Sequence, residues 1–175
     1  TRAAGLQGRV SVSHAYALGQ VSDDVLQATA VVLAQAGISI MTNAPGDHPF
    51  PPILRLRDAG VRVFTGNDNI RDAWWPYGNA DMLQRAMLIG YRSGFYTDEE
   101  LNVALAMATT EGAAVMGKSD YGLKVGNEAT FNVIKAVNGA DAVAAAPAER
   151  RMVRRGELCA TAPGLEFEIH LPPIY

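Results

Sequence analysis

Val61-Arg62-Val63-Phe64-Thr65-Gly66-Asn67-Asp68-Asn69 decides the fold: an apolar strand runs straight into a Gly-Asn-Asp-Asn turn. Valine and phenylalanine suit a pleated, half-buried strand, while Gly, Asn and Asp end it. After a long loop through Gly78 comes a helical stretch from Asp81 to about Arg92, so the segment is one β/α unit. The same pattern recurs twice upstream. Gly8 to His14 sets Val10 and Val12 against Ser11 and Ser13, which suits a short strand ending at His14. Ser22 then caps a helix to about Ala36, with Val25, Thr29, Val32, Leu33 and Ala36 on one face and Gly37 as its stop. Ile38-Ser39-Ile40-Met41-Thr42 is the next strand, followed by a loop through Pro49 and a helix from Pro52 to Ala59, opened by proline and closed by Gly60. Three consecutive β/α units therefore occupy residues 8 to 93.

Downstream, Thr97-Asp98-Glu99-Glu100 matches a capping box and starts a helix to about Met116, with Leu101, Leu105, Ala108 and Val115 roughly on one side. After Gly117 the character changes to short apolar runs, Thr130 to Ile134 and Arg151 to Arg154, with turn signals at Gly122, Gly126, Asn138-Gly139 and Gly156. This stretch reads as a small β module beside the α/β part, which divides the chain into residues 1–117 and 118–175. Alternating β and α elements imply a parallel sheet, either open and doubly wound or part of a (β/α)8 barrel. No G-x-G-x-x-G or G-x-x-x-x-G-K-[ST] follows a strand, so the dinucleotide and P-loop readings lose their main support. Polar residues at the strand ends favour the barrel, whose active sites lie at the carboxyl ends of its strands. Three units are too few to close one.

At 175 residues, with 49% apolar and 19% charged residues, the chain is long enough for a sizeable core and too apolar for disorder. A formal net charge of -3 and a pI of about 5.6 argue against a nucleic-acid partner. The longest basic stretch is Glu149 to Arg155. Cys159 is the single cysteine, which excludes an internal disulfide or a Cys-rich zinc site and points to a reducing compartment. No apolar run is long enough for a membrane helix, and no signal-peptide core follows Thr1-Arg2-Ala3-Ala4. The expectation is a soluble, cytoplasmic protein without a membrane partner. A start on Thr1 rather than Met points to a processed, trimmed or partial polypeptide.

Among residues that could carry chemistry, Asp68 lies just past a strand. A carboxylate there can ligate a divalent metal and take a proton from water, or it can simply make a turn hydrogen bond. His14 ends the first strand and could point into the same mouth, polarising water or binding metal, or it could be a satisfied, partly buried histidine. Trp74-Trp75-Pro76-Tyr77-Gly78 could stack on a flat heterocycle or seal the barrel end. His48, in a Pro-rich loop, could line the pocket, and His170 sits in a peripheral tail.

Three ordered segments carry a resemblance: Val10 to His14, then Gly37 to Pro45, then Gly66-Asn67-Asp68-Asn69-Ile70-Arg71-Asp72-Ala73-Trp74-Trp75-Pro76-Tyr77-Gly78. They resemble the bacterial cytosine deaminases of the amidohydrolase superfamily. Asp120-Tyr121-Gly122-Leu123-Lys124-Val125-Gly126-Asn127-Glu128-Ala129 is similar to the segment where that family leaves its barrel for a small β-sandwich. The match runs in one order from residue 8 to about 160.

The resemblance implies an α/β fold, the C-terminal part of a distorted (β/α)8 TIM barrel (strands 6 to 8) with part of a small β-sandwich. It implies that Asp68 binds one divalent metal ion, Fe or Zn, and shuttles a proton, that His14 orients the attacking water, and that Trp74 contacts the substrate. The reaction implied is hydrolytic deamination of a small heterocycle such as cytosine, with metal-activated water attacking the amidine carbon and ammonia leaving. Asn69 stands where the cytosine enzyme carries a second Asp near the substrate, which leaves isocytosine, another aminated pyrimidine, a triazine or a pterin open. The family's His-x-His, its strand-5 His and its acid Glu have no counterpart in these residues. The chain alone is therefore expected to be inactive and to need an N-terminal part of the barrel. A homo-oligomer is expected. An amidohydrolase acting on a cyclic amide or N-alkylated triazine, and a non-catalytic fragment or interaction module, are the alternative readings.

Overall fold

The computed structural model describes residues 1–46 and 48–161. His170 and the end of the 118–175 segment lie outside the described residues. Strand β1 (Val10–Ser13) leads through a short 3-10 turn to helix α1 (Asp23–Ala36), then β2 (Ile38–Met41), α2 (Ile53–Asp58), β3 (Val63–Phe64) and α3 (Met82–Ser93). The three strands form a parallel sheet in the order β1-β2-β3, in register from Val10 opposite Ile38 to Met41 opposite Phe64. The three β/α units are thus present, and their strands all finish on one edge. Gly37 caps α1 with φ 61°, and a Cβ there would lie 2.7 Å from the Gly8 amide nitrogen. Only glycine supplies both the left-handed turn and the room for β1 to start beside it.

The core-facing stripe of α1 differs from the expected one. Leu26, Ala30 and Ala36 are buried, whereas Val25 and Val32 are exposed. Apolar residues surround this helix on almost every side, so a 3.6-residue period fits more than one face, and packing of Leu26 and Ala30 onto the sheet selects between them. The expected helix from Thr97 to Met116 is two helices, α4 (Asp98–Met107) and α5 (Thr110–Val115). The capping box at its start is present, with Thr97 and Glu100 satisfying each other's backbone N–H groups. The break falls at Thr109, whose hydroxyl donates to the Leu105 carbonyl at 2.7 Å and whose backbone leaves the helical region. The backbone N–H of Thr65 meanwhile reaches the Met107 carbonyl, joining the end of α4 to β3.

Beyond residue 117 come β4 (Phe131–Ile134), α6 (Gly139–Ala145), β5 (Arg150–Arg154) and β6 (Glu157–Thr161), the three strands forming one antiparallel sheet. Asn138-Gly139 is the start of a helix rather than a plain turn, because the Asn138 side chain accepts from Asp141 N–H as an N-cap. Helix α6 packs against α3 and α4, and its Val143 is fully buried in the same core as Leu56, Ile89 and Met107. The core therefore extends past residue 117. No helix among the described residues is long and apolar enough to cross a membrane.

Asp81 ties the two regions together. It caps α3 by accepting from Leu83 N–H at 2.9 Å, and both of its oxygens accept from the Arg150 guanidinium, one at 2.7 Å. Burial pushes this carboxyl up, but the Arg150 hydrogen bonds and charge and the Leu83 N–H together hold it below the ordinary value. Asp81→Ala removes a cap and strips a mostly buried guanidinium of its carboxylate, leaving it the Pro147 carbonyl, so a loss of about 2–4 kcal/mol is expected in urea unfolding. Because the folded value is depressed, the contribution is complete above the ordinary carboxylate range and disappears as pH falls toward the lower folded value. The difference between wild type and Asp81→Ala should shrink in the same acid window.

Candidate active site

The carboxyl edge of the parallel sheet is closed by buried hydroxyls. The Thr65 hydroxyl donates to the Thr42 carbonyl at 2.7 Å, and the Thr42 hydroxyl accepts from Ala44 N–H at 3.1 Å. The three chains leaving this edge each turn through a left-handed non-glycine residue: His14 (φ 68°), Ala44 (φ 47°) and Asp68 (φ 58°). Such conformations cost on the order of 1–3 kcal/mol each and cluster at functional sites. Here they swing two chemically active side chains toward each other.

His14 Nε2 lies 3.4 Å from Asp68 Oδ2, with both side chains about one-third exposed. Asn43, in the loop after β2, donates through Nδ2 to the same Asp68 oxygen at 3.2 Å. The His14 Nδ1 and Asn43 Oδ1 atoms are buried and make no hydrogen bond. Unpaired polar atoms are costly to bury, and in a native site they mark positions where a ligand, ion or water is held. The His14 ring packs against Tyr16 at 4.9 Å, and Tyr16 in turn against His48 at 5.2 Å, placing His48 on the rim. A groove of about 310 Å³ between α2 and α3, lined by Phe50, Pro52, Leu54, Arg92 and Phe95, is elsewhere, and no carboxylate or imidazole among the described residues lines it.

One imidazole and one carboxylate are donor types that suit zinc or ferrous iron. They are two donors, and no group of three or more His, Cys, Asp or Glu side chains is gathered among the described residues. The Asp68 carboxylate suits one position of a metal's coordination shell, and the imidazole beside it suits either a second position or a hydrogen bond to metal-bound water.

Of the residues singled out from sequence, His14 and Asp68 meet. Asn69 and Trp74 belong to the loop above them and are organised by Asp72. Asn69 Nδ2 donates to Asp72 Oδ2 at 2.5 Å, and the N–H groups of Trp74 and Trp75 both donate to Asp72 Oδ1 at 2.9 Å. The Asn69 hydrogen bond, followed by that of Trp75 N–H, lowers the Asp72 carboxyl below its ordinary value. The Trp74 side chain is 84% exposed, while Trp75 packs edge-on against Tyr77 at 5.5 Å. The loop thus presents Trp74 to solvent and folds Trp75 back on itself.

Two site residues escaped the sequence reading. Asn43 was part of a loop with no feature to separate its amide from a turn former. Arg85 carried a usable signal, since it falls with Leu83, Ala86 and Ile89 on the buried stripe of α3 and is itself only 7% exposed. A charge on a core-facing stripe is rare without partners. Its guanidinium reaches the Asn43 carbonyl at 2.8 Å, the Asn67 carbonyl at 3.2 Å and Asn67 Oδ1 at 3.4 Å.

The N-isopropylammelide isopropyl amidohydrolase of Pseudomonas sp. (strain ADP) is 33% identical over 135 residues, covering 77% of this chain and 34% of that protein. The crystal structure of N-isopropylammelide isopropylaminohydrolase from Burkholderia multivorans ATCC 17616 matches with a TM-score of 0.87 and 41% identity over 91% of this chain and 41% of that one. The 5-methylcytosine deaminase of Klebsiella pneumoniae shares the fold, with a TM-score of 0.80 at 21% identity over 91% of this chain and 42% of its own. The chain spans about a third of the length of the curated relatives it matches. A family model described as the amidohydrolase family matches residues 1–161, and the chain belongs to that family.

Proposed function

We propose that this chain supplies one wall of a mononuclear metal-dependent hydrolase that cleaves an exocyclic carbon–nitrogen bond on a nitrogen heterocycle, with an alkylamino-triazine as the first substrate to test. In this reading β1, β2 and β3 are strands 6, 7 and 8 of a (β/α)8 barrel whose other strands lie outside these residues. The observation that carries the reading is the His14–Asp68 pair, brought to 3.4 Å by two left-handed strand ends. The triazine is favoured over cytosine because the relatives at 33% and 41% identity are both named for N-isopropylammelide, whereas the likeness to the 5-methylcytosine enzyme is one of fold.

Asp68 would hold the divalent ion, together with ligands from elsewhere in the complete protein. When bound, such an ion brings the pKa of a coordinated water near neutrality. Asp68 accepts the proton that water gives up as its oxygen adds to the ring carbon, then returns it to the departing nitrogen. The bond to the amine breaks, the free amine leaves, and the added oxygen passes its remaining proton to a ring nitrogen and stays on the ring as a carbonyl. His14 orients the water through Nε2, and Asn43 fixes the Asp68 oxygen by its 3.2 Å hydrogen bond. Trp74, exposed at the mouth, can cover the flat ring.

The test is amine release by the complete polypeptide loaded with zinc, assayed on N-isopropylammelide, cytosine, isocytosine and a pterin. Isopropylamine release from the triazine is expected to exceed ammonia release from cytosine by roughly 10²-fold in kcat/KM, the scale at which pocket contacts discriminate. Ammonia from cytosine alone would replace the triazine by an aminopyrimidine. Zinc-loaded protein inert toward every member of the panel would count against the hydrolase itself.

A further inference from the structure

We propose that Arg85 is a positioning residue for the Asp68 carboxylate, acting through the two loops its guanidinium clamps. The proposal rests on the reading of Asp68 as a metal ligand. Arg85 comes from α3, behind the sheet edge, and is more than nine-tenths buried. One fork of its guanidinium holds the carbonyl of Asn43, and the other holds the carbonyl of Asn67, the residue immediately before Asp68. Its Nε additionally faces Asn67 Oδ1, whose amide also reaches the Met82 sulfur at 3.2 Å.

The Asn43 side chain also donates to the Asp68 carboxylate. A single rigid, planar group therefore holds the backbone of Asn43 and of the residue before Asp68, and through them sets the separation between the partners of that hydrogen bond. Aspartate is one of the few non-glycine residues that tolerates a left-handed backbone (φ 58°), and a hydrogen bond to the preceding peptide helps to hold Asp68 there. The Asn67–Asp68 peptide receives it from the guanidinium. Burial lowers the Arg85 pKa from its ordinary value, and the Asp68 charge opposes this. A lysine, with a single ammonium point, cannot reproduce the two-loop span.

Zinc affinity of the complete polypeptide, measured by competition with a chelator, tests this without relying on turnover. Wild type is compared with Arg85→Met, Arg85→Lys, Asp68→Asn and the Asp68→Asn/Arg85→Met double variant. Asp68→Asn is expected to weaken zinc by about 10²-fold and Arg85→Met by about 10-fold, as is usual when a group that orients a ligand is lost. In the double variant the Arg85 effect should vanish, leaving the affinity of Asp68→Asn alone. Arg85→Lys should fold and remain weaker than wild type. Equal Arg85→Met losses with and without Asp68, wild-type affinity in Arg85→Lys, or failure of both Arg85 variants to fold would each overturn the proposal. If Asp68→Asn itself binds zinc normally, the metal reading of Asp68 falls, and the proposal with it.

Discussion

Asp68→Asn in the complete polypeptide is expected to lower turnover by roughly 10³-fold or more, because one substitution removes a metal ligand and the proton carrier together. Asparagine preserves the shape, and its side-chain oxygen can still accept from Asn43 Nδ2. It also tolerates the left-handed backbone at φ 58° better than most residues. What it cannot do is carry a negative charge beside His14 or accept a proton from water. The side chain is about one-third exposed and lies outside the apolar core, so the thermal midpoint should stay within a few degrees of wild type. Steady-state amine release together with a melting curve checks both halves of the expectation. A variant that melts normally and retains full turnover would remove Asp68 from the chemistry.

His14→Asn is expected to cost about 10²–10⁴-fold in kcat, the range typical of a lost acid–base or water-orienting group, while leaving most of the bound zinc in place. The alternative is that His14 is itself a ligand, and the bound zinc separates the two. His14 Nε2 faces the Asp68 oxygen at 3.4 Å, and its Nδ1 is buried and unpaired. Asparagine again suits the left-handed position at φ 68°, so backbone strain is not confounded with loss of the ring. Zinc per chain by elemental analysis, measured on the same samples as kcat, distinguishes the roles. Loss of zinc in step with activity would make His14 a ligand rather than a water-orienting group.

The β/α alternation was legible because each strand ends in polar turn residues and each helix carries its own start signal. The Thr97–Glu100 capping box and the Gly37 stop were read directly and are formed. Local chemistry of this kind sits within a few residues and needs no tertiary information. What escaped was decided by packing. The buried face of α1 depends on which apolar stripe meets the sheet, and α6 forms because Ala142 and Val143 find a surface on α3 and α4. Thr109 ends α4 through its own side-chain hydrogen bond, which competes with helix continuation in a stretch that otherwise reads as helical.

The site divides along the same line. His14 directly follows β1 and Asp68 lies in the loop after β3, and the carboxyl side of a parallel sheet is where such chemistry is sought. Their approach to 3.4 Å depends on two left-handed residues that no periodicity reveals. Asn69 and Trp74 lie on the loop after β3, and the part Asp72 plays in organising both was invisible, since it arises from three hydrogen bonds to one carboxylate. Arg85 is the clearest case. Its sequence neighbours mark it as a charge among core residues, but only the folded chain shows the two loops it holds.

The most direct test of the central claim is a crystal structure of the complete protein loaded with zinc. An Asp68 carboxylate oxygen within about 2.0–2.2 Å of a single ion, with the His14 imidazole within hydrogen-bond reach of its water rather than bonded to the ion, is the predicted result. An ion bound elsewhere, with Asp68 still resting on Asn43, would contradict it.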